Sequence, residues 1–221
     1  MKKNKLLIAF AFAACSGAVM ADDKIDYSLS VKSWQNNINV SNTSTNVTTQ
    51  SANSPIVTLT AKKGDYFVST NLMLQSAYSY RTAYLLRKDV DLTLGYRYTN
   101  NLSFVVGQSY LSVKDGTQSN WVDKFSSSFL GVSGFEMLSD KVYATASYKN
   151  MLSVKTSGTG TDKYRDTKGY SAEVGLGYVL NNTTQLTAGY RFQQIKNYNI
   201  TQTRNESNTI KGILAGVNVN F

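Results

Sequence analysis

The sequence predicts an all-β fold, an antiparallel up-and-down transmembrane β-barrel of about ten strands (roughly eight to twelve), on three observations. Apolar and polar residues alternate with period two along almost the whole chain. The alternating runs are long, roughly 9–14 residues, whereas strands of soluble sheets average about five or six. The links between the runs alternate between short turns and longer polar stretches.

The first segment is set apart from the fold. Lys2, Lys3 and Lys5 make a positive start, Leu6 to Ala14 is apolar, and Val19-Met20-Ala21 offers a cleavage site before Asp22. This is the pattern of a secretory signal peptide. Its apolar run of about nine residues is well short of the roughly 20 needed for a spanning helix. The expected organisation is therefore a cleaved leader over 1–21 and a barrel domain over 22–221. Cys15, the only cysteine, falls inside the leader. It reads as a passenger there, with lipoprotein attachment as the alternative, since Ala13 and Ala14 precede it but Phe12 stands where Leu is usual. No disulfide is expected in the mature domain. The mature chain keeps 14 acidic residues and a net charge of about +6, because three of the 23 Lys and Arg leave with the leader. Nucleic acid is an unsuitable partner for an exported chain, and anionic lipid headgroups suit the charge better.

The strands follow in order. Ile25, Tyr27, Leu29 and Val31 alternate with Asp26, Ser28 and Ser30. Val57, Leu59 and Ala61 alternate with Thr58 and Thr60. Tyr66, Val68, Thr70, Leu72 and Leu74 alternate with Phe67, Ser69, Asn71 and Met73. Val90, Leu92, Leu94, Tyr96 and Tyr98 oppose Asp89, Asp91, Thr93, Gly95 and Arg97, and a turn at Thr99-Asn100-Asn101 leads to Leu102, Phe104, Val106 and Tyr110. Phe125, Phe129, Phe135 and Met137 share one parity of a less regular strand. Val142, Ala144, Ala146 and Tyr148 oppose Tyr143, Thr145, Ser147 and Lys149. The clearest hairpin sets Tyr170, Ala172, Val174, Leu176 and Tyr178 against Ser171, Glu173, Gly175 and Gly177, turns at Asn181-Asn182-Thr183, and returns through Leu186, Ala188, Tyr190 and Phe192. Ile213, Ala215, Val217, Val219 and Phe221 close the chain. Short turns are expected near 62–65, 99–101, 138–141 and 181–183, and longer links near 35–54, 81–87, 114–121, 153–168 and 199–207.

A soluble sandwich also alternates, so other features must separate the two. Sandwiches break every 8–12 residues or so with Gly and Pro, and this chain has a single proline. Its 15 tyrosines gather toward strand ends. Tyr96, Tyr98 and Tyr178 lie near short turns, and Tyr110, Tyr148 and Tyr170 lie toward long links. These six are the candidate aromatics of two membrane interfaces, with ordinary strand propensity as the rival account.

The closing alternation ending on Phe221 resembles the C-terminal strand of bacterial outer-membrane proteins, where a terminal aromatic belongs to the assembly signal. The related phrases LGYRYTNNLSF and LGYVLNNTTQL resemble hairpins of the small outer-membrane β-barrel superfamily, which includes OmpA-like and porin-like barrels. The resemblance is architectural and covers the mature chain. It implies a place in the bacterial outer membrane, with outer-membrane lipid including lipopolysaccharide and the barrel assembly machinery as partners. Barrels of this class act as pores, adhesins, anchors and enzymes, so it names no activity.

The polar parity faces the lumen. Glu173 and Arg191 each stand nine residues from the turn near 182, opposite each other on adjacent strands. Lys149 stands at similar height on the strand before, and Asp91 at similar height on the other side of the barrel. With Arg97 on the same inner parity, these five form a candidate lumen charge ladder. Each charge needs a partner in a narrow interior, and opposite charges across strands supply one. Such a ladder is either a salt-bridge plug or a constriction that selects anions. Interior glycines, among them Gly95, Gly107, Gly175, Gly177, Gly189, Gly212 and Gly216, leave room for water or relieve strain at curved strands.

The chain has no histidine. Ser-His-Asp and Cys-His catalysis and His-based zinc sites are thereby excluded. Asp89 and Asp91 are an acid pair, but on the charged inner wall their expected role is structural. No catalytic residue, metal or cofactor is expected. The expected function is a narrow pore for small hydrophilic solutes, with a plugged adhesin-type or structural barrel presenting surface loops as the alternative.

Overall fold

The computed structural model describes residues 24–41, 46–80, 83–117, 122–158, 164–199 and 205–221. The expected leader lies outside them, as do parts of the expected long links. The described chain is all strand and turn: β1 Asp26–Ser41, β2 Asn46–Thr48, β3 Ala52–Lys63, β4 Tyr66–Tyr80, β5 Ala83–Arg97, β6 Leu102–Asp115, β7 Val122–Met137, β8 Val142–Gly158, β9 Tyr164–Val179, β10 Thr184–Asn199 and β11 Asn205–Asn220. Ten long strands, β1 and β3 to β11, pair antiparallel with their chain neighbours, and β1 pairs with β11 to close the barrel. Strand β2 is a short flap on the tip of β1, where Asn39 faces Thr48.

Closure satisfies every strand edge, which is how a barrel removes the liability of an open sheet. The seam is finished at its end by the two backbone hydrogen bonds between Tyr27 and Phe221, at 3.0 and 2.9 Å. Their rings stack at 6.2 Å. The short turns fall where the sequence places them. Gly64 supplies the left-handed backbone (φ 57°) that the β3–β4 turn needs.

The strands are longer than the sequence suggests, up to 17 residues in β8. They run far into the expected long links, so that only residues 81–82 separate β4 from β5. The reason is a reversal of pattern partway up several strands. In β1 the outward Tyr27 and Val31 are apolar, but the outward Ser33 and Gln35 above them are polar, and the buried Trp34 and Ile38 point inward. The same reversal occurs in β11, where outward Ile213 gives way to outward Lys211 and inward Ile210. The upper barrel is thus built as a water-exposed barrel with its own apolar interior. A strand of about 16 residues covers about 50 Å of chain and about 40 Å of height at a tilt near 40°, more than the about 25 Å apolar band of a membrane barrel.

Strand β7 turns its aromatic parity inward. The parity of Phe125, Phe129, Phe135 and Met137 is the inner one, because Phe129 pairs beside Gly107 and Phe125 beside Leu111. Phe129 is buried in the lumen, and the outer face is carried by Leu130 and Val132.

Candidate functional site

Three layers fill the barrel interior, taken from the short-turn end upward. The lowest is a polar vestibule. Its cavity of about 240 Å³ is lined by Ser30, Tyr143, Thr145, Thr187 and Asn218, with Lys32 and Glu173 above. Tyr143 donates to the Gln185 side chain at 2.8 Å. Two interior glycines are neither water space nor strain relief. A Cβ on Gly177 would fall inside the Tyr143 ring, and one on Gly95 inside the Phe67 ring. Each aromatic lies flat over the bare backbone of its neighbour, the pairing that fills glycine gaps in curved sheets.

The middle layer holds charge. Arg191 and Glu173 are register partners. The guanidinium donates to Glu173 Oε2 from Nε at 2.8 Å and from Nη2 at 2.6 Å. Glu173 takes its second cation from Lys32 of β1, whose Nζ donates to Oε1 at 3.1 Å. Lys149 does not join Glu173. It reaches across the lumen and donates to Asp91 at 3.1 Å, because its own register partner is Ser171. Arg97 stands six residues below Asp91, next to the β5–β6 turn, and takes no part in the layer. The five candidate residues therefore resolve into two separate pairings, with Arg97 outside both.

Sequence reasoning missed Lys32 and Arg87. Arg87 is wholly buried and pairs with Asp89, donating to Oδ1 from Nε at 2.8 Å and to Gln193 from Nη2 at 2.6 Å. Both residues sit on the inner parity of their strands, a signal that was available. It was obscured because Arg87 falls above the point where the apolar alternation reverses. A cavity of about 50 Å³ remains between the ion pairs, lined by residues such as Asn71, Asp91, Lys149 and Arg191. That is room for a water or two.

The upper layer is apolar. Trp34, Ile38, Ile56, Met73, Tyr78, Ile210 and Leu214 pack as one cluster, and Leu111, Met151 and Ile195 as a second. Aromatic rings cover the charges from above. Arg191 lies over the Trp34 ring at 5.3 Å, and Lys149 over the Phe129 ring at 4.7 Å. A polar knot in this layer is satisfied internally. Tyr78 donates to Asn36 Oδ1 at 2.7 Å, Asn36 donates to Ser54 at 3.0 Å, and the Ser54 and Tyr78 hydroxyls are 3.0 Å apart.

The outer face carries the six candidate interface aromatics. Tyr96, Tyr98 and Tyr178 are exposed near the short turns, Tyr110 and Tyr148 are exposed higher up, and Tyr170 is half-buried. They form clusters: Tyr66 with Tyr96 at 5.2 Å, Tyr98 with Phe104 at 5.6 Å, and Tyr148, Tyr170 and Phe192 in a row at 6.1 and 5.6 Å. Tyr170 and Tyr178 on one strand are about 26 Å of chain apart, or about 20 Å of height at a tilt near 40°. Between the two levels the exposed outward residues include Leu94, Val106, Leu130, Val132, Val174 and Leu176.

No family model and no curated protein matches the chain. Among solved structures it is similar to the outer membrane protease OmpT from Escherichia coli, with a TM-score of 0.65 at 10% identity over 91% of this chain and 98% of that one. Neisserial surface protein A gives a TM-score of 0.43 at 18% identity, over 90% and 100% of the two chains. The translocator domain of the autotransporter NalP from Neisseria meningitidis gives 0.43 at 12%, over 99% and 96%. The likeness to OmpT establishes the fold, a ten-stranded barrel of the outer-membrane type, and no activity.

Proposed function

We propose that the protein is an integral outer-membrane barrel closed across its lumen, which anchors and presents its long-loop end at the cell surface. The observation that carries this reading is the burial of Arg87, at 0% exposure, inside the barrel between the ion-pair layer and the Trp34–Tyr78 cluster. A charged side chain sealed from water in mid-lumen is the mark of a filled interior. Eight-stranded barrels are filled by side chains and 16-stranded ones are not, so ten strands with Trp, Tyr, Met and Phe turned inward belong to the filled end. The leader-like start, the girdled outer face and the aromatic seam at Phe221 support the membrane location. They also support the barrel assembly machinery and outer-membrane lipid, lipopolysaccharide included, as partners. With no histidine in the chain and both Asp89 and Asp91 bound to cations, a surface-presenting role is favoured over catalysis.

The vestibule supports a second reading, a narrow pore for small hydrophilic solutes, because a cavity lies against the Lys32–Glu173 pair. Single-channel recording of refolded protein in planar bilayers separates the two. Closure predicts no stable open steps. Sustained steps from the wild type would refute closure and favour the pore, with the charged layer as its selecting constriction.

A further inference from the structure

Above the upper aromatics, the outer face of half the barrel is basic. Six consecutive strands, β5 to β10, each place one lysine there: Lys88, Lys114, Lys124, Lys155, Lys168 and Lys196. All six are on the outward parity. Counted along the strands they stand about 12–16 residues above the nearest short turn, and the aromatics Tyr110, Tyr148, Tyr170 and Phe192 stand just below them. None of the six is ion-paired among the described residues. Of the acids on these strands, Glu136 is outward at the opposite end of the barrel, and Asp166 follows in the β9 register at the level of Lys155. On β11 the outward Lys211 stands beside Phe192, and β3 and β4 expose Asn53 and Gln75.

A second observation concentrates this belt. Lys168 and Lys196 are direct register partners, so two ammonium-bearing side chains leave the same face side by side. Like charges directly opposed across strands repel. Lys155 on the next strand is a near-diagonal neighbour, since Val154 pairs with Thr167. The Lys168–Lys196 pair, with Lys155 close by, is stabilised when an anion sits between the ammonium groups.

We infer that Lys155, Lys168 and Lys196 form a seat for the phosphate groups of outer-leaflet lipid headgroups, with Lys88, Lys114 and Lys124 extending it around the barrel. The position selects the occupant. Aromatic rings mark the headgroup level of a bilayer, and cations immediately beyond them meet lipid phosphates. This rests on the membrane reading above but goes beyond it in naming the lipid chemistry and the side of the barrel that binds it.

The test uses the full mature chain refolded in phosphatidylcholine vesicles doped with bisphosphorylated lipid A or with its dephosphorylated form. Lipid retained through purification in neutral detergent is measured by mass spectrometry. The wild type should retain the bisphosphorylated lipid selectively. The triple variant Lys155→Gln/Lys168→Gln/Lys196→Gln should lose retention on the order of 100-fold, about fivefold for each lysine facing an anionic surface. The corresponding triple Arg variant should keep it, as should Lys141→Gln at the short-turn end. Equal retention by the triple Gln variant, or equal retention of the dephosphorylated lipid, would overturn the seat. Full displacement by inorganic phosphate would make it a free-anion site and overturn the lipid assignment. A barrel that enters no bilayer would overturn the membrane reading as well, whereas insertion without phosphate preference overturns the seat alone.

Discussion

Glu173 is the residue on which the middle layer depends, and its substitution is the sharpest test of how the lumen is held. The layer contains four cations, Lys32, Arg87, Lys149 and Arg191, and three carboxylates, Asp89, Asp91 and Glu173. Glu173 alone serves two of the cations. Glu173→Gln keeps the shape of the side chain and removes its charge, so Lys32 and Arg191 lose their shared acceptor while still enclosed by the barrel wall. Each pair at near-contact distance contributes about 4 kcal/mol of Coulomb attraction at an effective dielectric constant near 20. The side chains are about one-fifth exposed (19–22%), so water returns part of that. Breaking a largely enclosed pair then costs about 3–5 kcal/mol. Equilibrium urea unfolding in phosphatidylcholine vesicles, followed by the fluorescence of Trp34 beside Arg191, measures the loss. The double variant Glu173→Gln/Arg191→Gln should cost less than the sum of its single substitutions, with a coupling of about 2 kcal/mol. A loss below about 1 kcal/mol with no coupling, the behaviour of an exposed surface pair, would refute the view that these ion pairs hold the layer together.

Two further outcomes follow from the packing. Trp34→Ala empties the centre of the upper cluster, where Trp34 is 1% exposed, and should cost about 3–5 kcal/mol in urea unfolding followed by circular dichroism while leaving insertion into vesicles intact. Gly177→Val places a side chain where the Tyr143 ring lies. It should cost about 1–3 kcal/mol by overpacking and detach Tyr143 from Gln185, whereas Tyr143→Ala/Gly177→Val should recover much of that loss.

The pairing of Glu173 with Arg191 was legible before folding, because a short turn fixes the register of a hairpin and equal distances from the turn place residues opposite one another. The partner of Lys149 and the second partner of Glu173 were not legible. Lys149–Asp91 spans β8 to β5 and Lys32–Glu173 spans β1 to β9, so both contacts depend on the curvature of the closed wall. Arg97 shares the parity of the ladder but stands too low to enter it, a height that parity alone does not report. The upper barrel was hidden for a different reason. A search for outward apolar alternation stops where the outside becomes polar, yet the strand continues with its apolar residues turned inward at Trp34, Ile38, Leu111 and Ile195.

The sequence by itself determined the local terms: the period of two, the turns, the strand identities, the aromatic levels and the all-β barrel class, since each depends on residues a few positions apart. Only the tertiary structure decided what fills the lumen and which lysines share a height on the outside. Those outcomes depend on strand number, tilt and closure, which bring together residues more than a hundred positions apart, as with Arg87 and Gln193.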